Sequence, residues 1–164
     1  MKEETKNIII ETVKNLLEKV GFTGEVKLKE NNPEFVTVSV DSESESGILI
    51  GKNGQNLNAL DHIARLLVNK KIGFGIGSDN EDQGNFVLDI NDYRKLRSNY
   101  LVEGALAAAK RVKETQVAEA LFPMNAYERR MVHMELAALK EIETESIGQE
   151  PHRRIVIKPQ VGII

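Results

Sequence analysis

Gly51-Lys52-Asn53-Gly54 brings together residue types that can do chemistry without a catalytic side chain. Two glycines three apart let a backbone come close to something that side chains would hold away. Lys52 can meet a phosphate as a point charge. Asn53 tolerates unusual backbone angles. The setting is aliphatic: Ile48, Leu49 and Ile50 lead in, and Leu57, Leu60, Ala64 and Leu67 follow at helical spacing. Such a turn suits the backbone of a single nucleic-acid strand, with bases along Ile48, Ile50, Leu57 and Asn58. The same spacing also fits a plain corner between two helices.

A second group lies near the C-terminal end. Arg129 and His133 are four apart, so on a helix they share a face, and Arg130 flanks them. Two guanidiniums and an imidazole on one exposed face suit phosphate contacts. Taken alone, they also fit an ordinary solvated face with an incidental histidine. Arg153 and Arg154, at the head of a strand pattern, would complete a basic patch with them, or simply blunt a strand edge. Arg94 and Arg97 would extend that patch toward the first half.

Other chemistry finds little support. No nucleophile stands at a useful spacing from a base, so no catalytic residue is assigned. His62, His133 and His152 lack metal-ligand spacing, and the chain has no cysteine, so neither metal nor cofactor is expected. Gly73, Gly75 and Gly77 resemble a dinucleotide-binding fingerprint, but Ser78 stands where the third glycine belongs. The acidic residues of 41–45 and 79–82 read as solvated loops.

Charged residues are 29% and hydrophobic ones 41%, a globular composition. The net charge of −3 is unevenly spread: residues 1–91 hold 10 basic and 15 acidic side chains, and residues 92–164 hold 12 and 10. A polyanion site would therefore be local, because the overall field does not steer phosphates. Aromatics are 5% with no tryptophan, which favours an aliphatic groove over stacked rings. No apolar run approaches the roughly 18 residues of a membrane span. No signal-peptide core follows Met1-Lys2-Glu3-Glu4. The expectation is a cytoplasmic protein.

These residues need elements to position them. Ile9, Val13, Leu16 and Val20 mark a helix over roughly 3–20, ended by Gly21 with Phe22 as the apolar contact. Alternation at Val26 and Leu28, then at Val36, Val38 and Val40, predicts a hairpin turning at Asn31-Asn32-Pro33. A short helix to Ile50 and a longer one from Gly54 to about Asn69 flank the glycine turn. A loop over 71–85, with room for a short strand, precedes a strand at Phe86, Leu88 and Ile90. The second half opens with a capping signal at Asn91-Asp92 and a helix to about Ala118, whose stripe runs Tyr93, Leu96, Tyr100, Leu101, Ala105, Ala108 and Val112. Asn125 and Glu128 predict a capping box, with Tyr127, Met131, Met134 and Ala138 as the apolar face behind it. Strands near 141–146 and 153–158 close the chain. The fold class is α+β: two small domains, 1–90 and 91–164, each with helices on a mostly antiparallel sheet.

With these motifs in this order the chain resembles the Jag family, also called SpoIIIJ-associated or KhpB/EloR-type proteins. The resemblance rests on Gly-Ile-Leu-Ile-Gly-Lys-Asn-Gly (47–54), Leu-Asn-Ala-Leu (57–60), Asp89 with Tyr93-Arg94 and Arg97, Pro-Met-Asn-Ala-Tyr-Glu-Arg-Arg-Met-Val-His (123–133), Ser146, Gly148 and Glu-Pro-His-Arg-Arg-Ile-Val-Ile (150–157). It implies a type II KH domain (α-β-β-α-α-β) whose glycine loop clamps about four nucleotides. A domain named for its Arg-x-x-x-His pair follows, here Arg129 and His133. It further implies single-stranded RNA or DNA as partner, with roles in elongation, division or sporulation. Nothing in the chain matches the separate N-terminal domain of many members. Ile147 stands where the family has an acidic residue between serine and glycine. Two rival readings remain: a scaffold for cell-envelope, membrane-insertion or RNA-regulation machinery, and a nuclease using His133.

Overall fold

The computed structural model describes residues 1–30, 35–42, 46–73 and 85–160. The Asn31-Asn32-Pro33 turn, the strand considered within 71–85, Gly75, Gly77, Ser78 and most of both acidic loops lie outside them. The chain forms two compact units, Met1–Arg94 and Lys95–Ile164.

The first unit begins with helix α1 (Glu3–Lys19). Its end is the one the sequence predicts. Gly21 has φ 85°, its amide donates to Glu18 O, and the Phe22 amide reaches back to Leu17 O. Only a residue at ease in the left-handed region closes a helix in this way. Strands β1 (Glu25–Lys29) and β2 (Val36–Asp41) pair antiparallel. Helices α2 (Ser46–Ile50) and α3 (Gln55–Lys71) follow, separated by a 3-10 turn at Lys52–Gly54. Strand β3 (Phe86–Ile90) then pairs parallel with β2. The sheet is thus mixed rather than mostly antiparallel. The two helices between β2 and β3 carry the chain back across the sheet, and a crossover of that length returns it in the same direction. Ile9, Val13, Val38, Val40, Ala64, Val68 and Leu88 are all fully buried between helices and sheet.

Polar side chains from the helices finish the edge of β3. The Asp61 carboxylate of α3 accepts from the Leu88 amide at 2.6 Å, and Arg94 Nε donates to the Leu88 carbonyl at 2.9 Å. Both backbone groups of one edge residue are thereby satisfied, which also removes a template for unwanted strand pairing.

Helix α4 (Tyr93–Thr115) follows two left-handed residues, Asn91 (φ 50°) and Asp92 (φ 55°). The expected cap at Asn91-Asp92 is replaced. Asn91 instead exchanges two hydrogen bonds with the Ser42 backbone, and the buried Asp89 carboxylate accepts the Arg94 and Ile90 amides. In the second unit β4 (Glu119–Ala120), β6 (Arg154–Pro159) and β5 (Ile142–Ile147) form an antiparallel sheet in the order β4-β6-β5. Helix α5 (Ala126–Leu136) starts with the predicted capping box between Asn125 and Glu128. Leu101, Ala105, Ala108 and Val112 of α4 pack with Val132 and Leu136 of α5 against Ile155 and Ile157. Leu96 and Tyr100, expected in that stripe, are exposed.

Candidate nucleic-acid interface

In the first unit, the backbone of the Gly51–Gly54 turn is set by three successive requirements. Gly51 (φ 70°) and Gly54 (φ 77°) both lie where L side chains are disfavoured, and Asn53 takes a left-handed conformation at φ 54°. A Cβ on Gly51 would meet the Asn56 side chain at 2.6 Å, and a Cβ on Gly54 would meet Tyr93 Cε1 at 2.9 Å. Asn56 is held in place by donating to the Ile48 carbonyl at 2.7 Å, which ties the end of α2 to the start of α3. The glycines therefore let the turn fold tightly on its own protein. What they present outward is the tip, Lys52 and Asn53, both exposed. Among the described residues no carboxylate pairs with the Lys52 ammonium.

Ile48 (60% exposed) and Asn58 flank the tip, and Ile50 is half-buried beside them. Leu57 does not join this surface. It is fully buried in the core, on the α3 face that also carries Asp61, Ala64 and Val68. The groove reading loses that residue because the helix phase set by Ala64 and Val68 turns Leu57 inward. Sequence reasoning missed Asn56. Its only signal was an amide two residues past the second glycine, the right reach for a side chain closing a turn.

In the second unit, α5 buries a different face from the one predicted. Glu128, Arg129, Val132 and Leu136 are buried, whereas Tyr127 and Met134 are exposed. Arg129 is thus no member of an exposed basic face. Its Nη1 donates to the Met124 carbonyl and to Glu150 Oε1, each at 2.7 Å. The guanidinium ties α5 to the turn between β5 and β6. Glu128 is similarly occupied, accepting from the Asn125 amide and from Arg97 Nε at 2.9 Å. Arg94 and Arg97 are committed to Leu88 and Glu128 and do not extend a basic patch.

The remaining predicted residues stay accessible. Arg130 and His133 are exposed on α5. His133 Nδ1 shares a hydrogen bond with Thr144 Oγ1 of β5. Arg153 Nε donates to the Ser146 hydroxyl, and Arg154 Nε to the His152 carbonyl. These neutral partners orient the guanidiniums without cancelling their charge. By contrast, Arg111, Lys113, Arg129 and Lys158 each face a carboxylate. Among the described residues the uncompensated arginines of this unit are thus Arg130, Arg153 and Arg154. Burial raises the pKa of the Asp89 carboxyl above the ordinary range, against the opposing pull of the Arg94 and Ile90 amides. Among the described residues no cluster of His, Asp or Glu is arranged to hold a metal, and no helix is long and apolar enough to cross a membrane.

Comparison with known proteins agrees with both halves. A family model described as a KH domain matches residues 8–76, and one described as an R-three-H domain matches residues 101–159. A protein named RNA-binding protein KhpB from Clostridium symbiosum is 32% identical over 157 residues, which is 95% of this chain and 67% of that protein. Proteins of the same name from Lactiplantibacillus plantarum and Bacillus subtilis are 32% and 33% identical over 142 and 114 residues. Those alignments cover 87% and 68% of this chain but 41% and 51% of the two relatives, both longer proteins.

Proposed function

The chain belongs to the KhpB family of KH and R-three-H proteins, and on that premise we propose that it binds single-stranded RNA without making or breaking a bond. One observation carries the reading. A turn with positive φ at three of its four residues, Gly51, Asn53 and Gly54, holds Lys52 and Asn53 outward, beside exposed Ile48 and Asn58. A backbone of this kind persists where surrounding contacts over-determine it. Here Asn56 and Tyr93 supply those contacts, and what they fix is a tip presenting one cation and backbone to a ligand.

In this mechanism the Lys52 ammonium and the tip backbone take the phosphates of about four nucleotides. Their bases lie toward Ile48, Ile50 and Asn58. Arg130, His133, Arg153 and Arg154 of the second unit add phosphate contacts, which position the strand without reading its sequence. Arg129 contributes stability and no phosphate contact: it holds α5 and the β5–β6 turn together.

In this reading the protein is a cytoplasmic, post-transcriptional regulator that acts in elongation, division or sporulation. A titration of unstructured RNA at several salt concentrations tests binding. Affinity should fall with salt at about 0.7 per phosphate contact on a logarithmic scale. The RNA should remain intact afterwards. Its loss, abolished by His133→Ala, would instead reveal a nuclease. A scaffold reading has one observation in its favour, the exposed Ile63, Leu66 and Leu67 on the outward face of α3. RNA affinity that is absent or indifferent to salt would favour it.

A further inference from the structure

The sheet of the second unit has one face that its helices leave bare. The buried residues of α4 and α5 gather on the side of Ile155 and Ile157. Strand residues alternate, so Arg154, Val156 and Lys158 of β6 turn to the other side. The antiparallel register sets Ile147 of β5 across from Arg154, and Ala120 of β4 across from Val156. Beyond Ala120 the pairing continues for one more step, with the Leu121 amide donating to the Ile155 carbonyl at 2.9 Å. Leu121 packs into the core. Phe122 follows, between that bond and the one from the Met124 amide to the Arg153 carbonyl, so its backbone runs alongside the start of β6. With Leu121 turned inward and Phe122 exposed, the bare face runs from Phe122 at its β4 edge past Arg154 to Ile147 in one row.

Phe122 is 78% exposed, more than any other large hydrophobic among the described residues. An aromatic ring so open, at the edge of a face that carries a guanidinium with no carboxylate partner, needs a reason. A protein partner is a poor one. A stable protein interface takes about 800 Å² and 20 or more residues a side, with charge depleted at its centre. This face is three short strands wide, and Arg154 stands in the middle of its apolar row. An unpaired nucleobase fits better, because one ring face suffices for stacking and the adjoining phosphate needs one cation. Of the two acids on this face, Glu145 pairs with Lys158, and Glu143 lies opposite Lys158 at the end away from Arg154.

We propose that this face is a stacking platform for one unpaired base of the bound strand, with Phe122 under the base, Ile147 at the far edge of the row, and Arg154 on the adjoining phosphate. It rests on the RNA-binding reading and adds to it a contact to a base where that reading places only phosphate contacts.

The chain has no tryptophan, so Phe122→Trp creates a single fluorescent reporter at the site. Phe122→Leu keeps apolar surface and removes the ring. Both variants should melt as the parent does, because the side chain is open to solvent. In titrations of the full chain with unstructured RNA, Phe122→Leu should weaken binding about five- to hundredfold. Phe122→Trp should restore the affinity, and its emission should be quenched by RNA. An abasic strand of equal length should leave the emission unquenched and bind both variants alike. If Phe122→Leu binds RNA as tightly as the parent and Phe122→Trp is unquenched, the platform is rejected while RNA binding stands. If the parent itself binds no RNA, the underlying reading falls, and the platform with it.

Discussion

Arg129 and Glu150 are joined at 2.7 Å across twenty-one positions of sequence, by an arginine that is 8% exposed. The same Nη1 also holds the Met124 carbonyl. A pair of this kind, charged and largely desolvated on one side, is worth more to the fold than an exposed ion pair. It makes the arginine of the Arg-x-x-x-His motif a strut of the second unit and leaves its neighbour Arg130 as the open cation.

Arg129→Ala and Arg130→Ala should therefore separate stability from binding. Arg129→Ala leaves a buried carbonyl without its donor and should cost about 1.5–3 kcal/mol. Below its melting transition, its RNA salt dependence should be that of the parent. Arg130→Ala should stay within about 0.5 kcal/mol, yet lower the salt slope by up to about 0.7. Chemical denaturation and a salt titration of both variants decide it. The reverse assignment would put Arg129, not Arg130, on the phosphate.

Gly54→Ala should damage the first unit although Lys52 at the tip is freely replaceable. The new Cβ would press on Tyr93 at 2.9 Å from a backbone at φ 77°. Strain at such a position costs on the order of 1–3 kcal/mol before any clash. A thermal melt unchanged by Gly54→Ala would mean that the turn has room the geometry denies it.

Asp89 should make stability depend on pH in the direction opposite to a salt-bridged carboxylate. Burial raises its folded pKa above the unfolded value. The folded state then holds the proton more tightly. Its contribution is greatest below the unfolded pKa, falls as pH rises through the folded pKa, and is flat above that. Asp89→Asn keeps an oxygen for the Arg94 and Ile90 amides and removes the titration. The stability difference between Asp89→Asn and the parent should grow in the variant's favour from acid toward neutral pH. A difference that is constant with pH would contradict this.

Local signals were legible in the sequence. The Gly21–Phe22 helix end and the Asn125–Glu128 capping box each depend on residues within a few positions, and each stands where the pattern puts it. The face of α5 was misread for the opposite reason. Apolar Tyr127 and Met134 suggested a core face, while the face actually buried carries Glu128 and Arg129. Those two are buried because Arg97 and Glu150, 31 and 21 positions away, supply partners that no periodicity reveals. Leu57 was placed on the binding surface because it follows the glycine turn, but the helix phase sends it into the core. Arg130, His133, Arg153 and Arg154, and the Lys52-Asn53 tip, stay exposed or partly exposed, where a ligand can reach them.

The central claim is that the Lys52-Asn53 tip holds RNA. The measurement that tests it most directly is a titration of a fluorescently labelled, unstructured RNA, in one length of about four nucleotides and one several times longer, with the parent and with Lys52→Asp combined with Asn53→Asp. Both side chains are exposed, so the double variant should melt within about 0.5 kcal/mol of the parent. It should lose nearly all affinity for the short strand, which fills only the loop. It should retain weak, salt-sensitive affinity for the long one through Arg130, Arg153 and Arg154. A folded double variant that binds both lengths as tightly as the parent would contradict the account.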